Sequence, residues 1–357
     1  MRRCAATRAW LLAGCALATA CAAPERGEHA ARRTVPSGLL PVPAPDQVAG
    51  RPLRLLFIPF ASTRERERDA ASRITTFLET RTGLVVQPLL TSNYEQAAQA
   101  FVGGDADAAF LAPLLYVQVA ERFARDPALR DVRLRLLLTA VAGGSPSYLG
   151  YVVAPVDAPL RELRDASGLP FGLIEDSTSG YLYPLDLVES RGLDPAEFLR
   201  DARLYRRHGD VLADLLRPAG ERELAAGALY HNIVDTLPDD QRARLRLLAK
   251  TARIPRDAVA VRVPLVDGRE DPERLRVAAA LQHALLGLDD DPAMAAALRE
   301  GIGYDGWIVG DDRRYDAIRK VHQRFGHYRF GVPQGTDEDT TGTTGDGAEA
   351  TEATGER

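Results

Sequence analysis

Short apolar runs alternate with amphipathic runs from residue 53 to residue 123, and after Pro155 the same alternation starts again. Residues 53–58, 84–89 and 108–111 have the length and continuity of buried strands. Between them, Ala70, Ala71, Ile74, Phe77 and Leu78 share one face of a helix that Gly83 stops. Asn93 caps a second helix, in which Tyr94, Ala97, Ala98 and Phe101 recur at three-four spacing up to Gly103-Gly104. Pro113 suits the first turn of a third, over residues 114–123. Strands joined through helices cannot pair as tight hairpins, so this order predicts a mainly parallel sheet with helices on its faces. Ligands of such sheets bind beyond the carboxyl ends of the strands.

Strands at 134–141 and 148–154, separated by Gly143-Gly144-Ser145-Pro146, lead into the second cycle. It reads as a strand at 171–174, a helix to Ser190, a strand at 202–205, a helix from 210 to 216 and a strand at 226–230. Past Ile254-Pro255, residues 259–263 form a strand returning to the first half, followed by a helix with Leu275, Ala278, Leu281 and Leu285 on one face. The predicted class is therefore α/β with two lobes, each a mainly parallel sheet flanked by helices, joined by two hinge crossings. Residues 51–145 and 257–332 make lobe 1, and residues 146–256 make lobe 2.

Ser177-Thr178-Ser179-Gly180 lies between a strand and a helix expected near Tyr181, the layout of an anion cradle. A helix start leaves backbone N–H groups unpartnered, and hydroxyls beside them add donors aimed at the same point. Pro184 has no N–H, which argues against regular helix bonding much before Tyr181 and leaves the amides of residues 178–181 for a ligand. A Ser/Thr cluster here also reads as a simple cap. One cap uses one hydroxyl, however, and three are present.

Basic residues near Met1, then a stretch from Ala9 to Ala20 too short to span a bilayer, read as an export signal over residues 1–21. Cys21 follows Ala18-Thr19-Ala20 in the position of an acylated lipoprotein residue; Leu12-Ala13-Gly14-Cys15 has too little apolar chain before it, and an ordinary cleavage near Ala23 is the alternative. All three cysteines, Cys4, Cys15 and Cys21, lie in this segment, so the body offers no disulfide, thiol nucleophile or cysteine metal site. Residues 22–50 read as a flexible tether and residues 333–357 as a disordered acidic tail. A net charge of −5 with dispersed basic residues speaks against nucleic acid as a partner. Six scattered histidines make no recognisable metal set, and no cofactor or catalytic motif is present.

The chain resembles the phosphonate/phosphite/phosphate-type solute-binding proteins of ABC transporters over residues 53–321. The likeness rests on Asn93-Tyr94, on residues 107–113 with Tyr116, on Ser177 to Leu182 with Pro184, and on His208. Ile254-Pro255 and Gly303-Tyr304-Asp305-Gly306-Trp307, with Tyr315 and Ile318-Arg319, complete it. The resemblance implies a type II periplasmic-binding fold and a phosphorus oxyanion ligand: phosphonate, phosphite or phosphate. Tyr94 and Tyr116 would be hydroxyl donors of lobe 1, Ser177, Thr178 and Ser179 the cradle of lobe 2, and His208 a further donor. It further implies an ABC permease and ATPase as partners, a monomeric extracytoplasmic protein and no catalysis. Ala112 stands where a glycine is more usual, and Ala225 where an aspartate is common.

Plainer readings accompany each residue. Tyr94 and Tyr116 also suit helix packing, His208 beside Arg206, Arg207 and Asp210 suits a surface histidine, and Trp307 and Tyr315 read as core packing or a lobe interface rather than ligand contacts. The charged run 64–69 reads as a solvated helix start, and Arg319 and Lys320 as surface. The same two-lobe body could instead report ligand occupancy to a membrane sensor, or act as an enzyme on this fold, for which no paired acid and base is evident.

Overall fold

The computed structural model describes residues 35–43, 52–59 and 63–327. The expected signal segment, Cys21 and the acidic tail lie outside them. The larger sheet runs in the order Gly306–Val309, Val132–Val141, Ala258–Val266, Ala108–Leu111, Leu53–Phe57, Val86–Leu90. Leu53–Phe57 is parallel to both of its neighbours. The remaining pairs are antiparallel. The smaller sheet runs Leu245–Lys250, Gly150–Pro155, Ala226–Tyr230, Phe171–Ile174, Ala202–Tyr205, with only the last three strands mutually parallel.

Both sheets are thus mixed rather than mainly parallel. Crossover helices make the parallel strands, as the alternation predicts. Gly150–Pro155 and Ala258–Val266 instead arrive directly from the other lobe. They enter at the carboxyl ends of the parallel strands and so run the opposite way. The passage is a two-stranded ribbon in which Ser147–Tyr148 pairs antiparallel with Ile254–Pro255.

The helices follow the sequence signals closely. Thr63 caps Arg64–Thr82, which ends at Gly83 in the left-handed region, φ 71°. Asn93 caps Tyr94–Gly103 through the Gln96 amide. Pro113 occupies the first turn of Pro113–Arg125.

Two segments depart from expectation. Residues 35–43, assigned above to the tether, pack on lobe 1. The buried Gln282 accepts from the Leu40 amide at 2.8 Å and donates to the carbonyls of Gly38 and Leu137. Buried apolar surface at Leu40 and satisfied backbone groups make this stretch part of the folded body. The last helix, Asp316–Phe325, was assigned to lobe 1 alone. Its Ile318, Val321 and Phe325 join one apolar cluster with Leu115 of lobe 1 and Leu185 of lobe 2. Arg324 also pairs with Asp186 and, at 2.9 Å, with Glu189.

Candidate functional site

Five helix starts meet around one cavity of about 310 Å³ between the lobes. Lobe 1 contributes Arg66 from the first turn of Arg64–Thr82, Tyr94 from that of Tyr94–Gly103, and Ala112, the cap of Pro113–Arg125. Lobe 2 contributes the Ser177-Thr178-Ser179 turn and His208, first residue of His208–Leu215. Helix starts carry partial positive charge, so their convergence favours an anion.

The turn is a wide one over Thr178–Leu182, followed by the regular helix Tyr183–Ser190. The amides of Tyr181 and Leu182 share the Ser177 carbonyl, each at 3.1 Å, and the Gly180 amide donates to Ser177 Oγ at 3.1 Å. Main-chain helix bonding thus starts no earlier than the Tyr181 amide, as expected, and the missing N–H of Pro184 is accommodated by a widened turn before the regular helix. Of the four amides expected to be open, those of Thr178 and Ser179 remain. Gly180 is required by space: a Cβ there would lie 2.6 Å from Ile174 Cδ1 and 3.1 Å from His208 Cε1.

All three hydroxyls are buried. Ser177 Oγ lies 3.3 Å from His208 Nε2, while His208 Nδ1 accepts from the Tyr230 amide at 3.1 Å. Burial pushes the His208 pKa down to about 4. The neutral ring, accepting at Nδ1, carries its proton on Nε2 and donates to Ser177. Ser177 Oγ then accepts two bonds, and its own hydrogen is left to donate. Thr178 Oγ1 accepts from the Leu114 amide of lobe 1 at 2.8 Å, so its hydrogen is likewise available. Ser179 hydrogen-bonds the Tyr148 hydroxyl. His208 was expected to contact the anion directly. With both nitrogens engaged, it orients Ser177 instead.

Tyr94 reaches the cavity; Tyr116 does not. Tyr116 is fully buried, packs against Tyr315 with ring centres 4.5 Å apart and planes tilted by 56°, and donates to Asp312 Oδ1 at 2.6 Å. Arg319 engages the same carboxylate at 2.5 Å, so these residues build core rather than cleft. The assignment of Tyr116 as a cleft donor is corrected accordingly.

Three phenols absent from the expectation line the cavity in its place: Tyr148, Tyr230 and Tyr304. Burial pushes their pKa values up, together with that of Tyr94, so all four keep the proton they would donate. Arg256 and Asp257, directly after Ile254–Pro255, also line it. Arg256 donates to Tyr230 Oη at 2.9 Å and to the Ser145 carbonyl at 3.0 Å. Burial lifts the Asp257 carboxyl to about 6, against a hydrogen bond from Tyr304. The rule that ligands gather at carboxyl ends of strands points to Tyr230, last residue of Ala226–Tyr230. Ala225, just before that strand, packs against the apolar cluster and is not in the cavity wall.

The charged run at 64–69 is not wholly solvated either. Glu67 is buried and meets Arg207 of lobe 2 at 2.9 Å, tying the lobes beside the cavity. Among the described residues, no group of three or more histidine, cysteine or acidic side chains is placed to share a metal ion.

A family model described as ABC transporter, phosphonate, periplasmic substrate-binding protein matches residues 56–315. The phosphate-import protein PhnD of Mycolicibacterium smegmatis is 31% identical over 109 residues, 30% of this chain and 32% of that protein. The match thus spans about a third of that curated relative. Among solved structures, PhnD1 of Prochlorococcus marinus in complex with methylphosphonate superposes with a TM-score of 0.62 at 17% identity, over 77% of this chain and 98% of that one. A binding protein component of an ABC phosphonate transporter from Pseudomonas aeruginosa gives 0.61 at 17%, over 76% and 85%. At such identities the structural likeness concerns the fold, which is that of a two-lobe type II periplasmic binding protein.

Proposed function

This chain belongs to the family of periplasmic substrate-binding proteins of phosphonate ABC transporters, and from that membership we propose that it holds a phosphorus oxyanion in the cavity between its lobes and presents it to a membrane permease. Phosphonate, phosphite and phosphate share the tetrahedral head the cavity suits. The observation that carries the reading is the meeting of five helix starts with the oriented hydroxyls of Ser177 and Thr178 in one inter-lobe cavity.

A hydrogen bond to a charged acceptor contributes about 1.5–3 kcal/mol. Micromolar affinity requires about 8 kcal/mol after ordering and desolvation are met. Ser177, Thr178, the two remaining amides of the turn and the Tyr94 phenol supply five donors, which is in that range. All five are uncharged, so an acidic protein can hold an anion here without a basic surface.

Capture on one lobe and closure of the other follow from the two-lobe plan. The Thr178–Leu114 bond and the Glu67–Arg207 pair both cross between lobes, and opening would break them. The ATPase that drives the permease completes the assembly, and a lipid on Cys21 would keep the protein at the membrane it serves. Calorimetric titration of the full chain, purified from the membrane fraction, should show micromolar binding of phosphate, phosphite or methylphosphonate. Heat from none of the three rejects the reading.

A further inference from the structure

The cavity wall holds two acidic side chains, Asp257 and Glu300, among hydroxyls, phenols and guanidinium groups that can donate, and Asp257 lines the same space as the cradle. The Asp257 carbonyl accepts from the Ala140 amide at 2.9 Å, which pins this residue where the crossing ribbon enters lobe 1. Its carboxylate accepts from Tyr304, itself buried. We propose that Asp257 selects the chemical class of the anion: its carboxylate accepts a hydrogen bond from the acidic proton of a partly protonated phosphorus oxyanion and turns away sulfonates and sulfate, which carry no such proton. This deepens the oxyanion reading above and rests on it.

The chemistry is a matter of matched shapes and unmatched protons. Methylphosphonate and methanesulfonate share a tetrahedral head and a methyl tail, as phosphate and sulfate share a bare head. Near neutral pH the phosphorus members have a P–OH to donate to a carboxylate. The sulfur members place only negative oxygens against it, and a like-charge contact inside a cavity is a strong means of rejection.

Protonation of Asp257 removes the repulsion and supplies a donor. Within electrostatic reach of the carboxyl are the phenols of Tyr94, Tyr148, Tyr230 and Tyr304 in the wall, that of Tyr315 in the core behind it, and the guanidinium of Arg256. The other titratable groups of the wall are Arg66, His208, Arg299 and Glu300. The phenols are all shifted upward and His208 is held down to about 4. Asp257 itself is raised to about 6, so it changes charge between mildly acidic and mildly basic solution.

The test is calorimetric titration of the full chain with both matched pairs, for the wild type, Asp257→Asn and, as a control on the second acidic wall residue, Glu300→Gln. At about pH 7, where the Asp257 carboxylate is ionised and methylphosphonate still carries its P–OH, the wild type and Glu300→Gln should prefer the phosphorus member of a pair by at least about tenfold. In Asp257→Asn the preference should fall to about threefold or less, through gained binding of the sulfur member. In the wild type, methanesulfonate binding should strengthen about tenfold between about pH 8 and about pH 5, and in Asp257→Asn it should not.

Equal wild-type affinities within both pairs overturn the assignment, as does an Asp257→Asn variant that loses both members alike or a Glu300→Gln variant that loses the preference. Should Asp257→Asn fail to fold, the wild-type pH series decides, and sulfonate affinity that does not rise on acidification overturns the assignment. Binding of the phosphorus members without discrimination leaves the oxyanion reading standing, whereas binding of no member removes both.

Discussion

Ser177 does two jobs at once, and they reinforce each other. As a cap it accepts from the Gly180 amide, which contributes about 1 kcal/mol to the helix start. Accepting from His208 as well leaves its hydrogen as a donor. Cap and cradle are therefore not competing descriptions of this residue. His208 links the site to pH. Its folded-state pKa of about 4 lies below the ordinary 6.5, so the stability it provides is present above about 6.5 and lost as pH falls toward 4. Asp257, raised to about 6 from 3.8, acts in the opposite sense, since the folded state takes up its proton first as pH falls. Thermal unfolding of His208→Gln beside the wild type should show a stability difference that shrinks as the solution is acidified through this window; a gap that stays constant contradicts the buried neutral imidazole.

The same scale shows what a single chain of letters can disclose. Ser177, Thr178, Ser179 and Tyr94 were legible because a turn between strand and helix, and a first helical residue, have local signatures. Tyr116 was misplaced because periodicity tells which face of a helix is inward but not what it meets. Its partner Asp312 is 196 residues away. Asp257, Tyr148 and Tyr304 went unseen as site residues for the same reason: only the hinge brings them together. Tyr304 and the Ile254-Pro255 pair beside Asp257 stood in motifs already noted, without a local sign of which side chain faces the cavity.

At the scale of elements, the helix starts do the work, and their caps were mostly readable. What periodicity did not disclose is that Arg64–Thr82 aims its first turn at lobe 2. Glu67 looks like one more charge in a run of charges, yet it is buried and paired with Arg207. Removing the buried Glu67 charge forfeits its charge-assisted hydrogen bond to Arg207. The pair crosses between lobes, so the loss should fall on the closed form. Glu67→Gln is expected to speed ligand dissociation about three- to tenfold with little change in association rate, as is usual for a desolvated contact. Stopped-flow kinetics with the tightest anion measures both, and an unchanged dissociation rate would remove Glu67–Arg207 from the closure mechanism.

At the scale of the whole molecule, alternation in the sequence carried the two-lobe α/β plan but overstated its parallel character. A strand's direction depends on which end of the sheet the chain enters, and that is decided by the crossing, which has no local signature. The final helix likewise touches both lobes through Phe325 and Arg324, a consequence of tertiary packing rather than of its own pattern.

The proposal that joins these scales is that a tetrahedral anion is gripped between the lobes by the hydroxyls that open the Thr178–Leu182 turn. The most direct test is calorimetric titration of the full-length Ser177→Ala, Thr178→Val double variant with whichever phosphorus oxyanion the wild type binds best. Loss of two charge-assisted bonds predicts affinity weakened by at least about tenfold in a protein that still unfolds cooperatively. Wild-type affinity in that folded double variant would contradict the account.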